Sequence, residues 1–268
     1  MRIAHMRPLN LSSVHYHHET DWEPTPLIRV RNVAAMALAA ASGATDAIGY
    51  LALGHVFTSA MTGNLALLGI ALAHHDKERI GRVLVSLFCY MVGAALGARI
   101  ARTPEPGDPV WPPAVTRALA LEAVFFVMYA ASWWAAGAQL KVDARALLLG
   151  LGAIALGIQS SAMQRFGDGL GLNTTFVSGA LIRLVGRLAT GQRYRDIHHH
   201  LLVLVGLVCG GSLSALLVLH APAFAPFVQL CPLALALCAA GWQARAWRRV
   251  ANRSNFRQIE RLNSVAAH

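Results

Sequence analysis

Eight apolar blocks run through the sequence, at 33–54, 56–73, 83–100, 114–136, 146–163, 172–189, 201–219 and 224–244. Each is close to the roughly 17 to 25 residues an α-helix needs to cross the hydrocarbon of a bilayer. Their Ala and Leu content and their periodicity favour helix over strand. A soluble helical protein would need charged outer faces on such segments, whereas here most charges gather in short clusters between the blocks. Only 13% of the 268 residues are charged, about half the usual share of a soluble domain. The expected fold class is all-α: a polytopic integral membrane protein with six to eight transmembrane helices. Residues 1–32 read as a disordered cytoplasmic tail, 33–136 and 146–244 as two membrane halves, and 245–268 as a basic cytoplasmic tail.

The net charge is +10, and Lys77 and Lys141 are the only lysines. Arg245, Arg248, Arg249, Arg253, Arg257 and Arg261 directly follow the last block. The positive-inside rule explains such a run, with the tail held near anionic lipid on the cytoplasmic side. The lipid bilayer is therefore the expected partner, and nucleic acid is not. Residues 1–32 contain no apolar h-region, so a cleaved signal peptide is not expected. The first block is read as an uncleaved anchor, with Arg29 and Arg31 favouring a cytoplasmic N-terminus. Cys89, Cys209, Cys231 and Cys238 all lie inside apolar blocks without a CxxC pair, as small buried hydrophobes do.

Loop charges leave two topologies open. The first two blocks are separated by little more than Gly54 and His55. They form either a tight hairpin of two spans, or one span plus a re-entrant piece. With eight crossings, Lys77, Arg79, Arg82, Lys141 and Arg145 are cytoplasmic, and Arg99, Arg102 and Arg117 lie outside; with six, the two sets swap. Eight crossings is the favoured arrangement.

The chain also repeats itself. "TSAMTGNLALLGIALA" (58–73) aligns without a gap to "TTFVSGALIRLVGRLA" (174–189). Thr58 falls on Thr174, Ser59 on Thr175, Thr62 on Ser178 and Gly63 on Gly179. A polar residue precedes each copy, Asp46 in the first and Gln159 in the second. Each copy is followed by a block carrying two glycines four apart, Gly93 with Gly97 and Gly206 with Gly210. Such spacing lets helix backbones approach closely in lipid. Two homologous halves are expected.

These same residues carry a family resemblance. "SGATDAIGYLALGHVFTSAMTGNLALLGIALA" (42–73) resembles the first signature of the YoaK family of bacterial inner-membrane proteins, the domain of unknown function 1275. "LGIQSSAMQRFGDGLGLNTTFVSGALIRLVGRLA" (156–189) is similar to that family's second signature. The likeness runs from about Val33 to Ala244. It implies a multi-spanning protein of the bacterial inner membrane, and it supplies neither activity nor substrate.

Thr58, Thr62, Gly63 and Asn64 sit where hydrocarbon side chains are expected. Gly63 weakens a helix, and Thr, Ser and Asn can satisfy the backbone groups that a break frees. Transporters with internal repeats often bind cargo at such discontinuous helices. The substrate-binding candidates are therefore Asp46, Thr58, Thr62, Gly63, Asn64, Gln159, Thr174, Thr175, Ser178, Gly179 and Arg183. Alternatively, Gly63 and Gly179 serve helix packing, with the hydroxyls bonded to their own helices. Asp46 and Glu122 are the only two of thirteen acidic residues inside apolar blocks. A charge at mid-membrane costs about 2.5 to 3.5 kcal/mol even on the lenient scale, so each needs a partner, water or an ion. Asp46 is the candidate for proton or cation coupling; for Glu122, with Arg117 five residues earlier, a structural or interfacial role is expected. Arg183 and Arg187 share one helix face, where the second can snorkel and the first can pair with Asp46 or attract an anionic solute.

Histidines at 15, 17 and 18, at 74 and 75, and at 198–200 lie near loops and make no dedicated metal site. No GxSxG, HExxH or P-loop occurs, and "GDGLGLN" (167–173) reads as a turn. No cofactor or enzymatic activity is expected. The function expected is a small-solute secondary transporter or permease. A non-transporting membrane scaffold is the alternative, and a membrane-embedded enzyme acting on lipid or quinone comes third.

Overall fold

The computed structural model describes residues 25–102, 111–137, 141–165, 177–191 and 194–266. All regular structure among them is helical. The elements are α1 (Thr25–Ala52), α2 (Met61–Ala73), α3 (Lys77–Ala101), α4 (Pro113–Ala136), α5 (Val142–Gln164), α6 (Val177–Ala189), α7 (Tyr194–His220) and α8 (Phe227–Ala266), with a 3-10 turn at Pro222–Phe224. Helix α1 begins at Thr25, so part of the stretch read as a tail is helical; it carries Arg31 into the bundle and leaves Arg29 exposed. Helix α8 continues through the basic stretch to Ala266.

Six helices are long and apolar enough to cross a membrane: α1, α3, α4, α5, α7 and the first part of α8. Helices α2 and α6 have 13 residues each, about 20 Å of helix against about 30 Å of hydrocarbon. The starts of α3 and α4 follow ordinary capping chemistry. Asp76 accepts a hydrogen bond from the Arg79 amide at 3.0 Å before α3, and Pro113 takes the first position of α4, where its missing N–H costs nothing.

Side-chain-to-backbone contacts set the directions of the helices. Cβ atoms added to Gly206 and Gly210 would run into the carbonyls of Met36 and Ala40, so α7 runs parallel to α1. Gly93 and Gly97 meet the Ile154 and Ile158 carbonyls in the same way, and Arg165 Nη1 donates to the Ala101 carbonyl, so α5 runs parallel to α3. In contrast, α1 and α5 are antiparallel. Thr45 lies beside Gly152, while Gln159 Nε2 donates to the Leu38 carbonyl at 3.2 Å.

It follows that α1 and α3 are antiparallel, and the chain between them must start and finish at the same end of the bundle. Gly54, just after α1, lies against the Arg82 side chain near the start of α3. Asn64 Nδ2 donates to Ser86 Oγ at 3.2 Å, and these residues are equally far from the turn at 74–76, so α2 and α3 form a hairpin. The eight-crossing arrangement is therefore not the one formed. Residues 53–60 dip in beside α1, and α2 returns to the end from which they came. Helices α5 and α7 are antiparallel for the same reason, so the stretch containing α6 also begins and ends on one side, the opposite one.

Helix α1 packs along α7 and α8, and α5 along α3 and α4. Helix α2 rests on α3, α6 on α7, α4 meets α8, and α1 meets α5. Exchanging α1–α4 for α5–α8 in this list returns the same list. The core lies between these helices and is built from Leu38, Ile48, Leu119, Phe126, Leu149 and Leu156 among others, all at most 1% exposed.

Candidate functional site

A non-helical stretch at membrane depth must have its backbone polar groups satisfied by protein. After Ala52 the chain turns through Gly54 and His55, both with positive φ (107° and 59°). Glycine adopts that conformation freely, and the His55 amide closes the helix end by bonding to the Tyr50 carbonyl at 3.1 Å. The following residues descend along α1 until Thr58 and Ser59 reach Asp46.

The Asp46 carboxylate accepts four hydrogen bonds there. Oδ1 takes the Thr58 amide at 2.7 Å, the Thr58 hydroxyl at 2.9 Å and the Ser59 amide at 2.7 Å. Oδ2 takes the Ser59 hydroxyl at 2.6 Å. Asn64 does the same service one step away. Its Oδ1 accepts from the Phe57 amide at 2.9 Å and its Nδ2 donates to the Phe57 carbonyl at 2.7 Å. The amide side chain thus pairs with Phe57 as a neighbouring strand would, and Ser86 Oγ donates to the same carbonyl at 2.7 Å. The Ser42 and Ser59 hydroxyls are 3.0 Å apart. Thr45 instead bonds back to its own helix, at the Ala41 carbonyl.

The dipping segment borders a cavity of about 780 Å³ between α1, α3 and α7. Gly43, Asp46, Ala47 and Tyr50 form its α1 wall, at the three- and four-residue spacing of one helix face. Phe57, Ser59, Thr62 and Gly63 form the wall opposite, with Tyr90 from α3 and Leu207, Gly211 and Ser212 from α7. Tyr50 stacks on Phe57 with ring centroids 5.3 Å apart. A Cβ on Gly63 would press on the Phe57 ring at 3.2 Å, so this glycine makes room for the aromatic wall.

The sequence candidates separate into three groups. Asp46, Thr62 and Gly63 line the cavity, while Thr58 and Asn64 are fully buried and hold the segment in place. Gln159 is buried on α5 against Leu38 and does not join Asp46. These two polar steps before the repeat copies thus sit at different levels, with Gln159 about two turns of α1 away from Asp46. Thr174 and Thr175 lie outside the described residues, as do the side chains of Ser178 and Arg183. Gly179 lies in α6, and no described residue of α6 lines the cavity. The expected meeting of the two repeated segments in one site is thus not found among the described residues, where α7 supplies the remaining wall.

Of the two roles expected of Glu122, structural or interfacial, its burial leaves the structural one. It is 0% exposed, and both of its carboxylate oxygens lack a hydrogen-bond partner. Tyr50, Phe57 and Tyr90 were missed as site residues. The available signal for Tyr50 was its position four residues after Asp46; Tyr90 had none, since only the packing of α3 on α5 brings it there. Among the described residues, no cluster of His, Cys, Asp and Glu could hold a metal ion.

A bundle of six apolar helices with short hydrogen-bonded helices between them defines a multi-pass membrane protein. Residues 34–251 match the family described as "Protein of unknown function (DUF1275)", and the chain belongs to that family. It is similar to the UPF0700 transmembrane protein YoaK of Bacillus subtilis (strain 168), at 33% identity over 214 residues, covering 76% of this chain and 90% of that relative. No solved structure matches the chain significantly.

Proposed function

We propose that the protein is a secondary transporter or permease for a small solute, rather than an enzyme. The observation that carries this reading is the Asp46-bound segment of irregular backbone bordering a half-open cavity between the helices, where Asp46, Ser59, Thr62 and Ser212 interrupt a largely apolar wall. Irregular backbone at that depth is tolerated where it is buried in protein or lines a cavity, and half-helices beside such segments are a common way to build solute sites. Thr62 and Ser59 offer hydroxyls to the solute, and Asp46 offers the charge.

The two halves form an inverted repeat in this reading. The gapless match of 58–73 to 174–189 supports it, as does the exchange of packing partners between α1–α4 and α5–α8. Alternating access then follows from rocking of one half against the other about the cavity. The end carrying Arg29, Arg31, Arg99, Arg102, Arg117, Arg165 and Arg245, with the Arg-rich stretch that follows, faces the cytoplasm, since it holds more Lys and Arg than the opposite end with Lys77, Arg79, Arg82, Lys141 and Arg145. Both termini are then cytoplasmic, in the inner membrane of a bacterium.

Thr62 provides a test that needs no substrate. It is exposed to the cavity. With Cys89, Cys209, Cys231 and Cys238 replaced by Ala, Thr62→Cys is labelled with a membrane-impermeant maleimide in vesicles of defined sidedness. Labelling from both faces is the expected result. Labelling from one face alone, at every pH and ion gradient tried, overturns transport by alternating access and leaves the scaffold reading.

A further inference from the structure

We propose that the solute taken by this cavity is a small organic cation of the ammonium class. The inference rests on the reading of the cavity as a solute site given above.

Charge comes first. Asp46 is the only formally charged residue among the described lining residues. Its four hydrogen bonds come from two backbone amides and two hydroxyls, all neutral donors. Such donors spread the negative charge without cancelling it. Among the described residues Asp46 has no ion-pair partner, and Arg82, beside Gly54, is paired with Glu78. The amino end of α2 also borders the cavity, at Thr62 and Gly63. A helix end carries about half an elementary positive charge, against a full negative charge on the carboxylate. The balance of the site is negative.

The wall chemistry comes second. Tyr50, Phe57 and Tyr90 line the same cavity. Aromatic faces attract cations through their quadrupole and suit quaternary ammonium groups. Calcium and magnesium want about six or more oxygen ligands. Three of the hydrogen bonds to Asp46 already occupy Oδ1, which leaves Oδ2 and a few hydroxyls. An ammonium group with alkyl substituents needs one carboxylate edge and apolar or aromatic walls. The cavity's 780 Å³ accommodates that.

The experiment uses the purified full chain in nanodiscs and measures its thermal unfolding. The probes are tetramethylammonium, choline, the uncharged choline isostere 3,3-dimethylbutan-1-ol, and acetate. The cations are expected to raise the midpoint with an apparent affinity about tenfold or more above that of the isostere. Tyr50 is 41% exposed and, among the described residues, makes ring contacts only with Phe57 and His55, so Tyr50→Leu is expected to fold and to weaken choline binding about threefold or more. The proposal is overturned if the isostere matches choline, if acetate stabilises more than the cations do, if no probe stabilises, or if Tyr50→Leu binds choline unchanged. Two-sided labelling of Thr62→Cys without cation selectivity would sink the cation assignment and keep transport. Cation binding with one-sided labelling would keep the site and sink transport.

Discussion

Asp46 and Glu122 are both carboxylates inside membrane-spanning helices, and their surroundings are opposite. Asp46 is half-buried, lines a cavity and accepts four hydrogen bonds. Glu122 is fully buried with neither oxygen engaged. The donors at Asp46 belong to a stretch whose amides would otherwise be orphaned in a low-dielectric setting. The carboxylate and the break in the helix therefore stabilise each other. Glu122 lies in an unbroken helix whose own carbonyls already take its amides, so the backbone there has nothing to offer it. A polar residue inside a membrane protein gains its role from the backbone defect beside it more than from its depth.

The largest effect that would break this contrast is expected at Asp46. Asp46→Ala removes the acceptor for four donors, and the loss of stability is expected to reach about 3 kcal/mol or more, read by denaturant unfolding in mixed micelles. Asp46→Asn keeps one acceptor oxygen and is expected to fall between alanine and the native chain. If alanine were tolerated within about 0.5 kcal/mol, a magnitude typical of substitutions away from any special feature, Asp46 would not be what holds the segment in place.

Next in size is Asn64→Leu. It leaves the Phe57 amide without its partner and removes one of two donors from the Phe57 carbonyl. A loss of about 2 kcal/mol is expected, with faster proteolysis between Gly54 and Ala60 as a second readout. Unchanged cleavage in that window would mean that the segment does not depend on Asn64.

The smallest effect is expected at Glu122. Glu122→Gln keeps the shape and removes no hydrogen bond, so stability is expected to change by less than about 1 kcal/mol. A loss as large as that of Asp46→Ala would show that Glu122 is engaged in a second conformation of the bundle, and the contrast between the two carboxylates would then describe one state only.

Much of the fold was legible before any coordinates. The apolar blocks correspond to helices, but the Thr, Ser, Gly and Asn at 58–64 only overlap the irregular backbone at 53–60, because Thr62, Gly63 and Asn64 lie in the first turn of α2, where no break occurs. Order along the chain places Asp46 and Gln159 before the two copies, and it says nothing of their partners: Asp46 takes the Thr58 and Ser59 donors, while Gln159 reaches the Leu38 carbonyl. The eight-crossing preference misled. A dip of extended chain followed by a 13-residue helix has the same apolar length as a span, and hydropathy has no sign for direction.

Local chemistry thus marked the membrane class, the helices and the weak point between Ala52 and Met61, because transfer energies and helix propensities belong to each residue with its near neighbours. The antiparallel course of α1 and α3, the capture of Thr58 and Ser59 by Asp46, and the cavity walled by Tyr50, Phe57, Tyr90 and Ser212 came only with packing. Those contacts join residues far apart in the chain, and their partners are chosen where glycines such as Gly43, Gly97 and Gly210 let one helix backbone settle against another.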